Sequence, residues 1–287
     1  MGVQSSRVMV LGGRGFLGTY FRGAYPDAVA PEVDITDRHA VVQALERYQP
    51  EVVINCAGRT GRPNVDWCED HREETLEVNV TGALLVMRAC LDRGIYLVHV
   101  SSGCIYQGDN GGRGFSEDDA PNFAGSFYSQ TKAWAEQIIR HFPVLTLRLR
   151  MPFDGSTSER NLIVKLRKYS RVLAVANSLT HMPDFLRASQ VLIARRATGV
   201  YNLVNEGALS PFDLMRRYKD VVDARHSFEP LALDQMPEVA RAGRSNCLLN
   251  TDKLRDAGLA LPPVDQAVDL ALRALAQEES AGKRAAA

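Results

Sequence analysis

Three side chains in the first half of the chain have the types and spacing needed to reduce a ketone. Tyr128 and Lys132 form a Y-x-x-x-K pattern on a helix predicted over 126–141, and this spacing places both on one helix face. A free tyrosine has a pKa of about 10, so an adjacent ammonium is needed to bring the phenol toward neutral pH. Ser102 ends a predicted strand, where its hydroxyl can donate to a carbonyl oxygen that gains negative charge.

A glycine-rich segment between a predicted strand at 7–11 and a predicted helix at 16–24 has the features of a phosphate-binding loop. Gly12 allows a tight turn, Gly15 lets the backbone approach a pyrophosphate, and Gly18 lets helix and strand pack closely. The helix N-terminus then faces the phosphates with its dipole. The predicted cofactor contacts of this loop are Gly12, Gly13, Arg14, Gly15, Phe16, Leu17 and Gly18.

The same region favours NADPH as the cofactor and leaves NADH open. No acidic residue stands at an obvious end of a second strand, where it would hold the ribose of NAD. Arg14, inside the loop, can instead meet a 2′-phosphate. We expect Asp34 to contact the adenine rather than the ribose.

The order of elements predicts an α/β protein with a Rossmann-type, doubly wound parallel sheet. Apolar strands at 7–11, 51–58, 96–102 and 144–150 alternate with helices at 16–24, 38–48, about 70–93 and 126–141, and such strands are typical of a sheet covered on both faces. A further strand is expected at 199–205. We expect a dinucleotide-binding domain over 1–152, which carries Ser102, Tyr128 and Lys132. A smaller, mainly substrate-binding part is expected over 153–277, and a flexible tail over 278–287.

Composition excludes several other classes of protein. The 34 Lys and Arg residues balance 34 Asp and Glu residues, so neither nucleic acid nor a membrane surface is an expected partner. No apolar run is long enough to span a bilayer, and we expect no signal peptide at the start. The five cysteines are scattered without a C-x-x-C pair, so we expect no disulfides, no metal site and a cytoplasmic location.

Several longer stretches resemble one family within the extended short-chain dehydrogenase/reductases. The superfamily motifs are the glycine loop, Asn55–Gly58 (NCAG), Ser102 and the Y-x-x-x-K pattern. The stretches at 59–69, 103–106, 121–133, 148–152 and 244–246 resemble the plant-type nucleotide-rhamnose synthase/epimerase-reductase family. The VDWCE segment at 65–69 also resembles dTDP-4-dehydrorhamnose reductases, a related branch.

This resemblance implies an enzyme that acts on a nucleotide-linked 4-keto-6-deoxyglucose, with dTDP or UDP as the nucleotide. It would invert C3 and C5 and then reduce C4 to give the L-rhamnose nucleotide. Both inverted carbons are alpha to the ketone, so each inversion needs one group to remove a proton and another to deliver one. A thiol has a pKa of about 8.5, which suits that task, and the resemblance assigns it to Cys104. It assigns the second group to Lys165, which as a base needs burial to lower its pKa.

The resemblance also implies further binding residues. Arg244 is the best candidate for the diphosphate, because a guanidinium presents a forked set of donors. The expected substrate contacts are Val65, Asp66, Trp67, Asn161, Arg244 and Asn246. The further cofactor contacts are Asp34, Ile35, Cys56, Ala57, Gly58, Tyr128 and Lys132.

The sequence differs from the family pattern at two places, and two other functions are compatible with it. Residue 102 is Ser where the plant proteins tend to have Thr, and the segment 154–161 is shorter than its counterpart. A reductase that depends on a separate epimerase would leave Cys104 and Lys165 without a role. A protein that only senses NADPH would not need Ser102, Tyr128 or Lys132. The sequence leaves a homodimer open.

Overall fold

The computed structural model describes residues 7–286, with side chains up to residue 281. The described chain divides into two units, and neither is a continuous segment. Unit 1 takes the described residues up to Ile105, with Pro121–Arg148 and Ser189–Tyr201. Unit 2 takes Tyr106–Ala120, Leu149–Ala188 and the described residues from Asn202 onward. The predicted single boundary at 152 differs from this division because the chain leaves unit 1 early and later returns to it.

The elements follow one another in a mostly alternating order. The strands are β1 (Val8–Leu11), β2 (Val52–Asn55), β3 (Tyr96–Ser102), β4 (Leu145–Leu149), β5 (Pro152–Phe153), β6 (Arg171–Leu173), β7 (Thr180–His181), β8 (Gly199–Asn202) and β9 (Glu229–Leu231). The α-helices are α1 (Phe16–Ala24), α2 (Arg38–Tyr48), α3 (Trp67–Asp70), α4 (Arg72–Leu76), α5 (Ala83–Leu91), α6 (Phe127–Ile139), α7 (Leu162–Leu166), α8 (Met182–Ala194), α9 (Pro211–Val221), α10 (Asp252–Asp256) and α11 (Val264–Ala286). A π-helix spans Glu77–Gly82, and 3₁₀ turns span Gly103–Ile105 and Leu233–Glu238.

Unit 1 is built on a five-stranded sheet in the order β1-β2-β3-β4-β8. The first three strands pair in parallel, with Val8 opposite Val52 and Val52 opposite Tyr96. All four residues of β1 and of β2 are buried, so helices or loops must cover both faces of the sheet. Val29 also pairs in parallel with Met9 beside β1. This is the predicted parallel α/β arrangement.

One apolar core joins the sheet of unit 1 to its helices. Met9, Val53 and Leu97 come from three adjacent strands and pack with buried residues of α2, α5 and α6. Parallel strands all end at the same edge of their sheet, so the loops after β1, β2 and β3 emerge side by side. That edge carries the glycine loop, the NCAG segment and Ser102.

Unit 2 has a core of its own. Two small parallel pairs, β5 with β7 and β6 with β9, accompany its helices. Phe153, Leu214 and Val268 are buried in a cluster that joins β5 to α9 and α11. No helix in the described part of the chain combines the length and the apolar character required to cross a bilayer.

Three predicted elements differ from the structure. The helix expected over about 70–93 is divided into α4, the π-helix and α5. The strand expected over 199–205 ends at Asn202, whose backbone N–H donates to the Glu117 carboxylate at 2.8 Å. The segment expected as a tail from 278 continues α11 as far as Ala286, while Ala287 lies outside the described residues.

Candidate active site

The start of α6 holds Tyr128 and Lys132 in unit 1. Ser126 caps the helix, with its Oγ accepting from the Ser129 N–H at 3.2 Å. The Phe127 N–H donates to Glu69 Oε1 at 2.7 Å, which ties this end of α6 to α3. Lys132 is 5% exposed, and its Nζ donates to the Val100 carbonyl at 3.1 Å. The predicted pair therefore lies on a helix that is fixed at its first turn and held against β3.

Ser102 and Cys104 occupy the turn that follows β3. The Cys104 N–H donates to Ser102 Oγ at 3.2 Å, so the hydroxyl and the thiol belong to one tight 3₁₀ turn. Cys104 is only 8% exposed, while Ser102 is half-buried. The hydroxyl that can donate to a carbonyl oxygen thus lies beside a thiol sheltered from bulk water.

Electrostatics connect Lys132 to this thiol. Burial lowers the pKa of Lys132, and negative charge on Cys104, Glu136 or Cys56 raises it. Among these three groups, Cys104 has the largest effect on the pKa of Lys132. Cys56, from the NCAG segment, is a neutral neighbour, because burial raises the pKa of its thiol.

A buried ion pair lies one helical turn beyond Lys132. Arg148 on β4 is fully buried, and its Nε donates to the two carboxylate oxygens of Glu136 at 2.9 and 3.0 Å. Ser101 Oγ on β3 donates to the same carboxylate at 2.7 Å. Three elements of unit 1 thus meet at one charged contact close to the candidate residues Tyr128 and Lys132.

Asn79 is a site residue that the sequence reasoning missed. It lies in the π-helix, and its Nδ2 donates to Thr131 Oγ1 at 3.1 Å and to the Arg59 carbonyl at 3.0 Å. Thr131 Oγ1 in turn donates to the Tyr128 carbonyl at 2.8 Å. The available signal was an asparagine in the middle of a predicted helix, a position that it does not favour. Single π-helical turns of this kind often mark functional sites.

The glycine loop has the close contacts that its pattern predicts. Gly12 has a positive φ of 71°, and a Cβ there would lie 2.7 Å from the Ala57 nitrogen. A Cβ on Gly18 would lie 2.3 Å from the Gly12 carbonyl oxygen. The loop therefore packs directly on the NCAG segment and on the first turn of α1. Gly15 stands at the N-cap of α1 without a side-chain cap, which leaves N–H groups available for phosphate oxygens.

The remaining predicted cofactor residues do not all present their side chains. Asp34 Oδ1 accepts from the Thr36 N–H and from the Thr36 hydroxyl. Both hydrogen bonds lower the pKa of Asp34, and the one from the backbone N–H has the larger effect. The Ile35 side chain is 3% exposed and packs in the core, so its predicted contact can involve only the backbone. Arg14 forms an ion pair with Glu32, three residues beyond the Val29 bridge. The structure therefore brings an acidic residue to the loop, although the sequence shows none at an obvious end of a second strand.

The segment at 65–67 includes the Trp67 ring, which interacts with two other side chains. Trp67 stacks on His71 with centroids 3.8 Å apart, and the Arg59 guanidinium lies 5.7 Å from the Trp67 ring centre. Val65, Asp66 and Trp67 all keep part of their surface accessible. They stay candidate substrate contacts.

Lys165 lies on α7 in unit 2, in an environment that suits proton transfer. It is half-buried, and burial lowers its pKa, with the positive charge of Arg160 lowering it further. The alternative from sequence, a fully solvated helix lysine, does not describe this side chain.

Two predicted substrate contacts, Asn161 and Asn246, make hydrogen bonds within unit 2. Asn161 is fully buried, its Oδ1 accepts from the Ile163 N–H, and its Nδ2 donates to the Asp154 and Ser156 carbonyls. The Asn246 amide donates to the Arg244 carbonyl at 2.9 Å and accepts from Asn177 at 3.2 Å. These amides orient the segments that carry Lys165 and Arg244, and their predicted contacts with substrate stay predictions. Arg244 is half-buried and stays a candidate for the diphosphate.

Comparison with known proteins identifies the family. The family model described as RmlD substrate binding domain matches residues 6–277. The chain belongs to this RmlD family. A bifunctional dTDP-4-dehydrorhamnose 3,5-epimerase/dTDP-4-dehydrorhamnose reductase of Arabidopsis thaliana is 40% identical over 228 residues, which cover 77% of this chain and 76% of that protein.

Solved structures place the RmlD-family chain in the Rossmann-like fold class predicted from the sequence. The L780 UDP-rhamnose synthase of Acanthamoeba polyphaga mimivirus superposes with a TM-score of 0.89 at 27% identity, covering 94% of this chain and 99% of that one. A dTDP-4-dehydrorhamnose reductase of Bacillus anthracis, solved with NADP, has a TM-score of 0.80 at 23% identity and shares the fold. It covers 93% of this chain and 98% of that one.

Proposed function

We propose that this protein is an NADPH-dependent oxidoreductase of nucleotide-rhamnose synthesis that also acts as the 3,5-epimerase. Its substrate is a nucleotide-4-keto-6-deoxyglucose, carried on dTDP or UDP, and its product is the nucleotide-L-rhamnose. The observation that supports this most is the turn after β3, where Ser102 Oγ and the Cys104 N–H are hydrogen-bonded beside Lys132. A reductase needs the hydroxyl and the ammonium, but it has no use for the thiol.

The glycine loop of unit 1 fits a dinucleotide. Its backbone approaches Ala57 so closely that a side chain on Gly12 is excluded, and the uncapped N-terminus of α1 can receive phosphate oxygens. Arg14 would leave its ion pair with Glu32 and bind a 2′-phosphate, and this interaction favours NADPH over NADH. When bound, NADPH supplies the hydride that reduces C4.

Reduction of C4 relies on the groups around Lys132. The Ser102 hydroxyl donates to the C4 oxygen, and Tyr128 delivers the proton that makes the alcohol. Lys132, held by the Val100 carbonyl, supplies positive charge that favours the phenolate after this transfer. Asn79 positions Tyr128 through Thr131, because the Thr131 hydroxyl bonds the Tyr128 carbonyl.

Epimerisation uses the same carbonyl as an electron sink. The hydrogens on C3 and C5 are acidic because the enolate places charge on the C4 oxygen, where Ser102 donates. Cys104 is one proton-transfer group, and its thiol delivers a proton to one face of the enolate. Lys165 is the other, since its lowered pKa makes the neutral amine available as a base.

A cysteine variant tests this assignment. Cys104→Ser removes the thiol but keeps a small polar side chain, so we expect turnover of unepimerised keto-sugar to fall by about 10²- to 10⁴-fold. Reduction of a pre-epimerised 4-keto sugar should continue, because Ser102, Tyr128 and Lys132 are intact. The measurement is NADPH oxidation with each sugar, with the products identified by NMR.

Cys90→Ala is the matched control for loss of a buried thiol. Cys90 lies in the core on α5 and should leave both rates unchanged. Equal activity of Cys104→Ser and the wild-type protein on unepimerised sugar would remove Cys104 from the mechanism and leave a reductase alone.

A further inference from the structure

Arg150, which follows β4, is a buried cation in unit 2 to which neither sequence nor comparison gives a task. It is 6% exposed. Its guanidinium NH2 donates to Asn177 Oδ1 at 2.7 Å and also to the Ser245 carbonyl. Its Nε is buried and has no hydrogen-bond partner. A guanidinium carries five N–H donors, so these two hydrogen bonds leave most of them unused.

The charge of Arg150 is also unbalanced. Within the described part of the chain, no carboxylate forms an ion pair with it, in contrast to the equally buried Arg148, which pairs with Glu136. Burying an unpaired charge is costly, and proteins normally pair such a group or use it to bind an anion. The two neighbours of Arg150, an amide oxygen and a backbone carbonyl, do not neutralise it.

The support around Arg150 is rigid. Asn177 is fully buried, its Oδ1 also accepts from the Cys247 N–H at 3.1 Å, and its Nδ2 donates to Asn246 Oδ1. Ser245 Oγ donates to the Tyr106 carbonyl at 2.6 Å. Two hydrogen bonds from one terminal nitrogen to acceptors that are themselves held therefore fix the plane of the guanidinium before any ligand arrives, which is the usual arrangement of a preorganised binding group.

The segment that Arg150 touches is the one that carries Arg244. Ser245 directly follows Arg244, and Asn246 accepts at its own carbonyl from the Gly108 N–H at 2.7 Å. A second arginine thus adjoins the residue whose carbonyl Arg150 binds. A segment that carries one arginine and accepts a hydrogen bond from another suits a ligand with more than one negative charge.

We propose that Arg150 binds the diphosphate of the nucleotide-sugar substrate through its unused guanidinium N–H groups. This inference rests on the proposed function for the identity of the anion. A diphosphate supplies the compensating charge and the acceptor oxygens that the buried guanidinium lacks. Asn177 and Ser245 act as positioning residues, because they hold the guanidinium and do not themselves meet the ligand.

Binding of UDP and dTDP by arginine variants tests the proposal without turnover. Arg150→Gln removes the charge, and we expect the Kd for UDP or dTDP to rise by about 10- to 100-fold. Arg150→Lys keeps the positive charge but loses the forked set of guanidinium N–H donors, so we expect an intermediate rise in the Kd for UDP or dTDP. Arg171→Gln is the matched control, because Arg171 lies in the same unit and pairs with Glu238 at 2.7 Å. Its Kd for UDP and dTDP should stay at the wild-type value.

Further ligands separate the possible sources of the anion. Uridine has no phosphate, so its weak binding should not change in Arg150→Gln. The Kd for NADP⁺ should also stay unchanged, whereas a rise confined to NADP⁺ would assign Arg150 to the cofactor and overturn the proposal. Unchanged binding of UDP and dTDP by a folded Arg150→Gln variant would overturn it as well.

A measurement on the wild-type protein covers the case in which the variants fail to fold. The Arg150 Nε–H resonance should shift on addition of UDP and should not respond to uridine. Saturation with UDP that moves other resonances but leaves this one in place contradicts the proposal, as does the absence of UDP and dTDP binding at millimolar concentration. None of these assays contains a keto-sugar, so a protein that binds UDP through Arg150 but turns nothing over would refute the proposed function alone.

Discussion

At the residue scale, the environment of Lys132 combines opposing effects on one ammonium. Burial lowers its pKa, while anionic forms of Cys104, Glu136 and Cys56 raise it. Its hydrogen bond to the Val100 carbonyl favours the charged form, because a carbonyl can only accept. The pKa of Lys132 therefore depends on whether the Cys104 thiol is protonated. This dependence couples the proposed reduction to the proposed epimerisation.

Lys165 gives a residue-scale prediction about pH. The Arg160 charge is one of two causes that lower the pKa of Lys165, so Arg160→Gln should raise it. A base must be neutral, and a higher pKa means that less of the amine is neutral at a given pH. We expect the acidic limb of the pH profile of solvent exchange into the sugar to move to higher pH.

Arg167→Gln provides the comparison for that experiment. Arg167 lies two residues from Lys165 but forms an ion pair with Glu279. Removing the Arg167 charge should leave the acidic limb of the exchange profile at its wild-type pH. A profile of Arg160→Gln that coincides with the wild-type profile would mean that Lys165 does not control the exchange.

At the scale of elements, α6 is held at two points that bracket its catalytic turn. Glu69 accepts from the Phe127 N–H at its start, and Glu136 binds Arg148 and Ser101 near its middle. Tyr128 and Lys132 lie between these contacts. The helix can therefore present both side chains to the end of β3 with little freedom to shift.

The Glu136–Arg148 contact gives a stability prediction. Glu136→Gln leaves a fully buried guanidinium without its carboxylate, and breaking such a pair costs about 3–5 kcal/mol of the free energy of unfolding. Urea denaturation measures this loss. Replacing both partners by Met should recover much of it, because no uncompensated charge then remains buried.

An exposed pair calibrates the same experiment. Glu46 pairs with Arg93 at 3.1 Å and is largely exposed, so Glu46→Gln should cost less than about 1 kcal/mol. A similarly small loss for Glu136→Gln would show that the buried contact does not hold α6 in place.

Local patterns predicted the elements whose residues depend on their near neighbours. The predicted helices at 16–24 and 38–48 have the same bounds as α1 and α2, and the predicted strand at 96–102 matches β3. The close packing of Gly12 and Gly18 also followed from their spacing. Turn geometry and helix periodicity act over a few residues, so they can be read from a short stretch.

Contacts between distant segments could not be read in this way. Arg150 reaches Ser245, which is 95 residues away along the chain, and Asn79 reaches Thr131, which is 52 residues away. Asn246 accepts from Asn177, which is 69 residues away along the chain. The strand at 199–205 ended early for the same reason, since Glu117 takes the Asn202 N–H.

At the scale of the whole molecule, the chemistry is divided between two units with separate cores. Unit 1 carries Ser102, Cys104, Tyr128 and Lys132 with the glycine loop, and unit 2 carries Lys165, Arg150 and Arg244. Family membership and the fold do not by themselves decide whether Cys104 and Lys165 act, because a reductase alone would need neither of them.

Solvent exchange without NADPH tests this central claim most directly. The wild-type protein is incubated in D₂O with dTDP- or UDP-4-keto-6-deoxyglucose, and deuterium at each sugar carbon is followed by NMR and mass. We predict deuterium at C3 and C5, followed by the L-rhamnose nucleotide once NADPH is added. Absence of deuterium, together with NADPH oxidation on a pre-epimerised keto-sugar, would contradict the account and leave Cys104 as a packed thiol in a simple reductase.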